Sequence, residues 1–153
     1  MQHNVTIHLL KGLNTLKFGA PATEALAIFG EPEEIEELLD ELLSEKSTVY
    51  HYWNLGFSLF FKEDESKSFT CAEVDGDNTL LFDRKVFELN EKQIIDLFRE
   101  NGFSLSETEQ HAWGERRLSF DEAFADLYFE RGKLSSINFC VADYPAGLKV
   151  NLN

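Results

Sequence analysis

The sequence predicts an α+β fold: two degenerate repeats of one helix-plus-antiparallel-strands unit, forming one antiparallel sheet with helices on one face. Three observations predict it. The stretch Leu16–Pro32, LKFGAPATEALAIFGEP, is echoed by VFELNEKQIIDLFRENG from Val86. One constant shift aligns Phe18 with Phe87, Leu26 with Ile95, Phe29 with Phe98, Phe60 with Phe129 and Cys71 with Cys140. A fixed internal offset is the signature of repeated units. Finally, short alternating runs joined by turn residues outnumber the helical segments and lack βαβ spacing, which argues against an α/β sheet. The chain reads as one domain over 1–153, with a first unit at about 5–75, a second at about 77–142 and a tail at 143–153.

Taken in order, Val5, Ile7 and Leu9 alternate with polar residues, as in a half-buried strand. Pro21 suits a helix start, Ala22, Ala25, Leu26 and Phe29 share one helical face, and Gly30 with Pro32 ends it. Ile35, Leu38, Leu39, Leu42 and Leu43 then recur at helical spacing, with acid filling the other positions. The sequence therefore predicts a second helix over about 33–43. Gly102–His111 is polar and irregular at the matching place, so this helix reads as an insertion in the first unit. Thr48–Trp53, Leu55–Phe61 and Phe69–Val74 read as strands, with a tight turn at Asp75–Gly76 and a further strand over Leu80–Phe87. Asn90 and Gln93 form a capping-box pattern ahead of Ile94, Ile95, Leu97 and Phe98. Arg116–Phe120 is a strand, and Phe124–Glu130 and Lys133–Val141 form a hairpin across Arg131–Gly132.

At this point LKFGAPATEALAIFGEP and VYHYWNLGFSLFF carry a likeness. An apolar–Gly–small helix entry, a Phe-Gly-Glu-Pro stop and an aromatic hairpin resemble the β-lactamase inhibitory protein family and the small outer-membrane assembly lipoproteins of similar shape. That resemblance implies two tandem units making a curved sheet whose aromatic face grips a protein partner. Secretion and inhibitor-type disulfides belong to that family and have no counterpart motif in this sequence.

Charge narrows the partners. The 153 residues carry 14 basic against 28 acidic side chains, a formal net charge of −14. Such a chain repels nucleic-acid phosphates and anionic lipid, so neither nucleic acid nor membrane is an expected partner. The acid reads either as a solubilising surface or as the rim of a surface that docks a basic protein. The start, MQHNVTIHLLKGLNTL, lacks a signal-peptide pattern, and two cysteines suit a reducing compartment. The expectation is cytoplasmic.

Motifs for chemistry are few. There is no Gly-rich phosphate loop, HExxH, CxxC or GxSxG. Asp75-Gly76-Asp77 opens like a calcium loop, but Leu80 stands where that loop needs glycine. His3, His8, His51 and His111 show no metal-ligand spacing, and no metal or cofactor is expected. Cys71 and Cys140 read as buried thiols in place of a redox pair. Neighbouring carboxylates such as Asp121–Glu122 and Glu107–Glu109 are expected by chance in so acidic a chain. No catalytic residue is assigned. Tyr50, His51, Tyr52, Trp53, Trp113 and Tyr128 are the candidate partner-binding anchors, because aromatics bury large area at small entropic cost. Glu33, Glu36, Glu37 and Asp40 are the candidate acidic rim. The expected function is a non-enzymatic protein-binding module of inhibitor or immunity type. The alternative is a small-ligand binder or hydrolase with a pocket between sheet and helices.

Overall fold

A computed structural model of the chain describes residues 4–40 and 45–142. The helix-plus-hairpin α+β repeat is not what these residues build. Strand makes up 49% of the described residues and helix 18%, with two α-helices and two sheets, of five and eight strands. The expected tail, 143–153, lies outside the described residues.

The smaller sheet comes from short pieces near the start and at the middle of the chain. β1 (Val5–His8) is followed by β2 (Gly12–Leu13) and β3 (Leu16–Lys17), all antiparallel neighbours. β8 (Thr79–Leu81) lies parallel to β1 and pairs with β9 (Arg84–Lys85). The strand expected over Leu80–Phe87 is thus broken. Phe82 and Asp83 turn in the left-handed region, and Val86–Glu88 is a short 3-10 turn.

The larger sheet is wholly antiparallel. Four strands form a meander: β4 (Glu34–Asp40), β5 (Glu45–Tyr52), β6 (Phe57–Lys62) and β7 (Phe69–Val74). Four more form another: β10 (Glu107–Gln110), β11 (Glu115–Phe120), β12 (Ala125–Glu130) and β13 (Lys133–Cys140). They meet at β7 and β13, giving the order β10-β11-β12-β13-β7-β6-β5-β4.

The helix expected over 33–43 is replaced, over its described part, by β4. Each of its residues pairs with β5, from Glu34 opposite His51 to Asp40 opposite Glu45. A helix there would have crowded carboxylates with no lysine one turn away to offset them. In the edge strand Glu34, Glu36 and Glu37 are exposed to solvent, and strand preference depends mostly on what lies alongside. The turn expected at Asp75–Gly76 is a crossover and not a hairpin, because β7 and β8 belong to different sheets. The crossover is pinned by Gly56, whose carbonyl accepts the N–H groups of Asp75 and Gly76. A side chain at Gly56 would meet the Gly76 Cα at 2.7 Å, and its φ of +87° also excludes most residues.

Both helices pack on one face of the large sheet. α1 (Ala22–Phe29) buries Ala22 and Ala25, and Gly30 ends it by donating its N–H to the Leu26 carbonyl. α2 (Glu91–Glu100) is opened by the expected capping box. Asn90 Oδ1 accepts from the Gln93 N–H, and Gln93 Oε1 accepts from the Asn90 N–H. Ile94, Leu97 and Phe98 are its buried residues. Together with Ile7, Leu13, Leu16 and Leu81 of the small sheet, the helices cover a core built from Tyr52, Leu59, Phe61, Phe69, Leu127 and Phe139. That leaves the other face of the large sheet as the candidate site. No helix among the described residues is long and apolar enough to cross a membrane.

Candidate functional site

Alternation along each strand fixes which residues reach the outer face. Tyr50 and Tyr52 point the other way. They are 7% and 1% exposed, in the main core, and the Tyr52 hydroxyl donates to the Gly30 carbonyl at 2.9 Å. Burial and then Tyr50 push the Tyr52 hydroxyl up to about 12, so it stays a donor. Neither tyrosine is a contact anchor.

The outer face is not the broad aromatic surface the sequence suggested. One row across it is polar. Glu107, Ser119, Asp126, Asn138, Glu73, Ser58, His51 and Glu34 stand in register, one from each of the eight strands. Below it, Cys140, Cys71, Phe60 and Val49 form a buried apolar row, packed with Leu38 and Phe124. Cys71 and Cys140 are directly opposite each other and disulfide-bonded, 69 residues apart in sequence. The expectation of two thiols is therefore corrected. Their depth was foreseen, but the pairing of β7 with β13 that brings them together is a long-range event.

Electrostatics set several groups in and beside the polar row. Arg117 donates to Glu109 at 2.6 Å and lies 3.8 Å from Asp126. That hydrogen bond holds the Glu109 carboxyl below its usual range. Tyr128, half-buried on this face, has its hydroxyl pushed up to about 12, chiefly by burial and then by Asp126. Glu73 is raised by burial first and Asp75 second, with His51 acting the other way. The folded chain thus holds the Glu73 proton more tightly than the unfolded chain does. Stability from this group is greatest at low pH and falls as pH rises through the raised value. Glu73→Gln, which mimics the neutral acid, is expected to raise the melting temperature at pH 7. It should give no gain below pH ~4, where the carboxyl is protonated in both states. Thermal melts followed by circular dichroism at the two pH values check this.

The exposed aromatics sit at turns. Trp53, 58% exposed, stacks on His51 at 5.0 Å between centroids, with 18° between planes. His51 Nε2 meets Glu36 Oε1 at 2.9 Å, and Nδ1 meets Ser58 Oγ at 2.7 Å. Trp113, 74% exposed, stacks on His111 at 4.3 Å and 12°, and His111 Nε2 meets Glu109 Oε1 at 3.0 Å. The two constructions match: an indole on an imidazole on a carboxylate. β5 and β10 run in the same direction in this antiparallel order, so both tryptophan turns lie at one end of the sheet. Six interstrand spacings separate β5 from β10, roughly 29 Å across the sheet. The sequence carried a signal for this that aromatic counting missed: His-x-Trp occurs twice, at 51–53 and 111–113. Glu109 and Ser58 were likewise not foreseen as partners of these histidines.

The expected rim divides. Glu33 accepts from the Asn54 N–H at 3.2 Å, beside the Trp53 turn, and Glu36 holds His51. Glu37 is exposed on the opposite face of β4, and Asp40 ends that strand. Glu34, Glu36 and His51 each bring one ligand atom to within 4.8 Å of the others, the arrangement among the described residues most able to hold a metal ion. The His51–Glu36 hydrogen bond satisfies both groups without one. A half-open recess of about 340 Å³ lies elsewhere, lined by Asn4, Val5, Asn14, Ile28, Phe29, Leu55 and Phe57. None of these described lining residues is titratable. No protein family, curated protein or solved structure matches the chain.

Proposed function

We propose that the protein is a non-enzymatic binding module that docks a basic protein partner, as an inhibitor or immunity-type protein would. The observation that carries this is the pair of exposed tryptophans, each backed by a histidine and a carboxylate, at one end of the large sheet. An indole held rigid by stacking gives large contact area with little ordering cost. An indole face with a carboxylate beside it also suits a lysine or arginine, through cation–π and ionic attraction together. The net charge of −14 steers such a partner in. The disulfide lends some support to an oxidising compartment as the place where this docking occurs.

The test is capture of partners from the native host on the immobilised chain, at low and high salt. The wild-type chain is expected to retain a basic protein that high salt releases. Trp53→Ala with Trp113→Ala is expected to weaken that capture at least tenfold, since central aromatic anchors cost 2 kcal/mol or more, as a rough figure, when truncated. Retention unchanged in the double variant would overturn the role given to the tryptophans.

A hydrolase is the second reading, favoured by the Ser58–His51–Glu36 chain with its 2.7 and 2.9 Å links. Nucleophile, base and orienting acid are in hydrogen-bond order. Ser58 lies inside β6, however, paired with His51 on one side and Glu73 on the other. The neighbouring peptide N–H groups are committed to the sheet and leave no donors for an oxyanion. The binding reading is preferred for that reason.

A further inference from the structure

We propose that the outer edge of β4 is a docking strand, onto which an extended basic segment of the partner pairs as a ninth strand of the large sheet. The proposal rests on the reading of the partner as a basic protein and specifies how it is held.

β4 ends the strand order, and among the described residues nothing pairs with its outer edge. It is seven residues long and in register with β5 throughout. An edge of that length presents a row of free backbone donors and acceptors, which proteins normally shorten, bend or cover. Here it also carries exposed apolar residues. Ile35 is 54% exposed and Leu39 57%, on either side of Glu37 on the face shared with Tyr50. Glu34 and Glu36 project from the other face, beside His51. The opposite edge of the sheet offers a comparison within the same molecule. β10 has four residues, ETEQ, none of them apolar, and its Glu107 and Glu109 already face Arg117.

Charge selects the occupant. A second copy would bring Glu34, Glu36 and Glu37 against the same three acids, and like charges opposed across strands are destabilising. The acids therefore guard the edge against self-pairing while leaving it attractive to a basic strand. Alternation sets the sequence pattern of that strand: apolar side chains beside Ile35 and Leu39, and lysine or arginine beside Glu34 and Glu36. Backbone pairing supplies affinity in this mode, and the alternate side chains supply selectivity.

The probe is a fluorescein-labelled peptide, Lys-Val-Lys-Ile-Lys-Val-Lys, titrated with the full chain and followed by anisotropy. Hydrogen exchange is read across residues 34–40. Saturable binding that weakens with salt is expected, with slowed exchange along β4. A peptide with proline for its central isoleucine should bind at least tenfold more weakly, because proline cannot donate to the ladder. Glu34→Lys with Glu37→Lys, checked for its fold by circular dichroism, should lose binding to the same extent. Equal binding of the proline peptide, slowed exchange elsewhere than β4, or a dimer joined through β4 in sedimentation would each overturn the proposal. If the peptide fails while the chain still captures a salt-sensitive basic protein, the edge assignment alone falls; if both fail, the functional reading falls with it.

Discussion

Replacing Cys71 and Cys140 together by alanine is expected to lower the stability of the folded chain by about 4 kcal/mol. The chain-entropy relation gives that figure, as an order of magnitude, for a cross-link spanning 69 residues. Location adds to it. The bond crosses β7 and β13, the one seam where the two four-stranded meanders of the large sheet meet. Both cysteines are nearly fully buried, with Val49 and Phe60 beside them, so the alanine pair also leaves a small void. Total stabilities of single domains are about 5–15 kcal/mol, so much of the margin goes with this one bond. Urea unfolding of the wild-type and double-variant chains checks it. A reductant should destabilise the wild type to a similar degree and leave the variant unaffected. Coincident unfolding curves for wild type and variant would show that the seam holds without the bond.

Phe98→Ala is expected to cost about 3–5 kcal/mol, the range for emptying a large aromatic site in a core. Phe98 is 0% exposed and lies face to face on Phe120, at 3.9 Å between centroids and 15° between planes. Its edge contacts reach Phe82 and Phe103. This one ring therefore joins α2 to β11 and to the turn after β8. Truncating it loosens the helix from the sheet as well as leaving a cavity. Phe98→Leu keeps most of the volume and should cost less than the alanine change. Urea midpoints for the two variants measure both losses. A loss under ~1 kcal/mol for alanine would mean that neighbouring rings close the gap, which is at odds with so many fixed partners.

The helices and most strands of the large sheet were legible because their signals are local. Asn90 and Gln93 announce a helix start, and Phe57, Leu59 and Phe61 announce a buried strand face. The segment Glu34–Asp40 was misread because Ile35, Leu38 and Leu39 match a helical stripe. Its polar positions do not mark a strand face either; only the open side of β5 makes it one. Of the small sheet, β1 was legible in the alternation of Val5 and Ile7, while its other strands escaped because two- and three-residue strands carry no periodicity of their own. The crossover at Asp75–Gly76 escaped because the same dipeptide serves a hairpin equally well. At the candidate site, the aromatic residues were found but not their orientation. Alternation along Thr48–Trp53 offered two faces, and the fold put Tyr50 and Tyr52 inside with His51 and Trp53 out. The burial of Asp126 and the partial burial of Glu73 had no sequence signal at all.

By itself the sequence determined the acidic surface, the two capped helices, the alternating strands and the dearth of catalytic motifs. Each follows from neighbours within a few residues, where spacing and side-chain chemistry act directly. Tertiary structure alone decided the eight-strand order, the Cys71–Cys140 bond, the two matched His–Trp–Glu constructions and the placing of β4 at the end of that order among the described residues. Those depend on which distant strands lie side by side, and pairing of that kind is settled by burial and hydrogen bonding across the whole sheet.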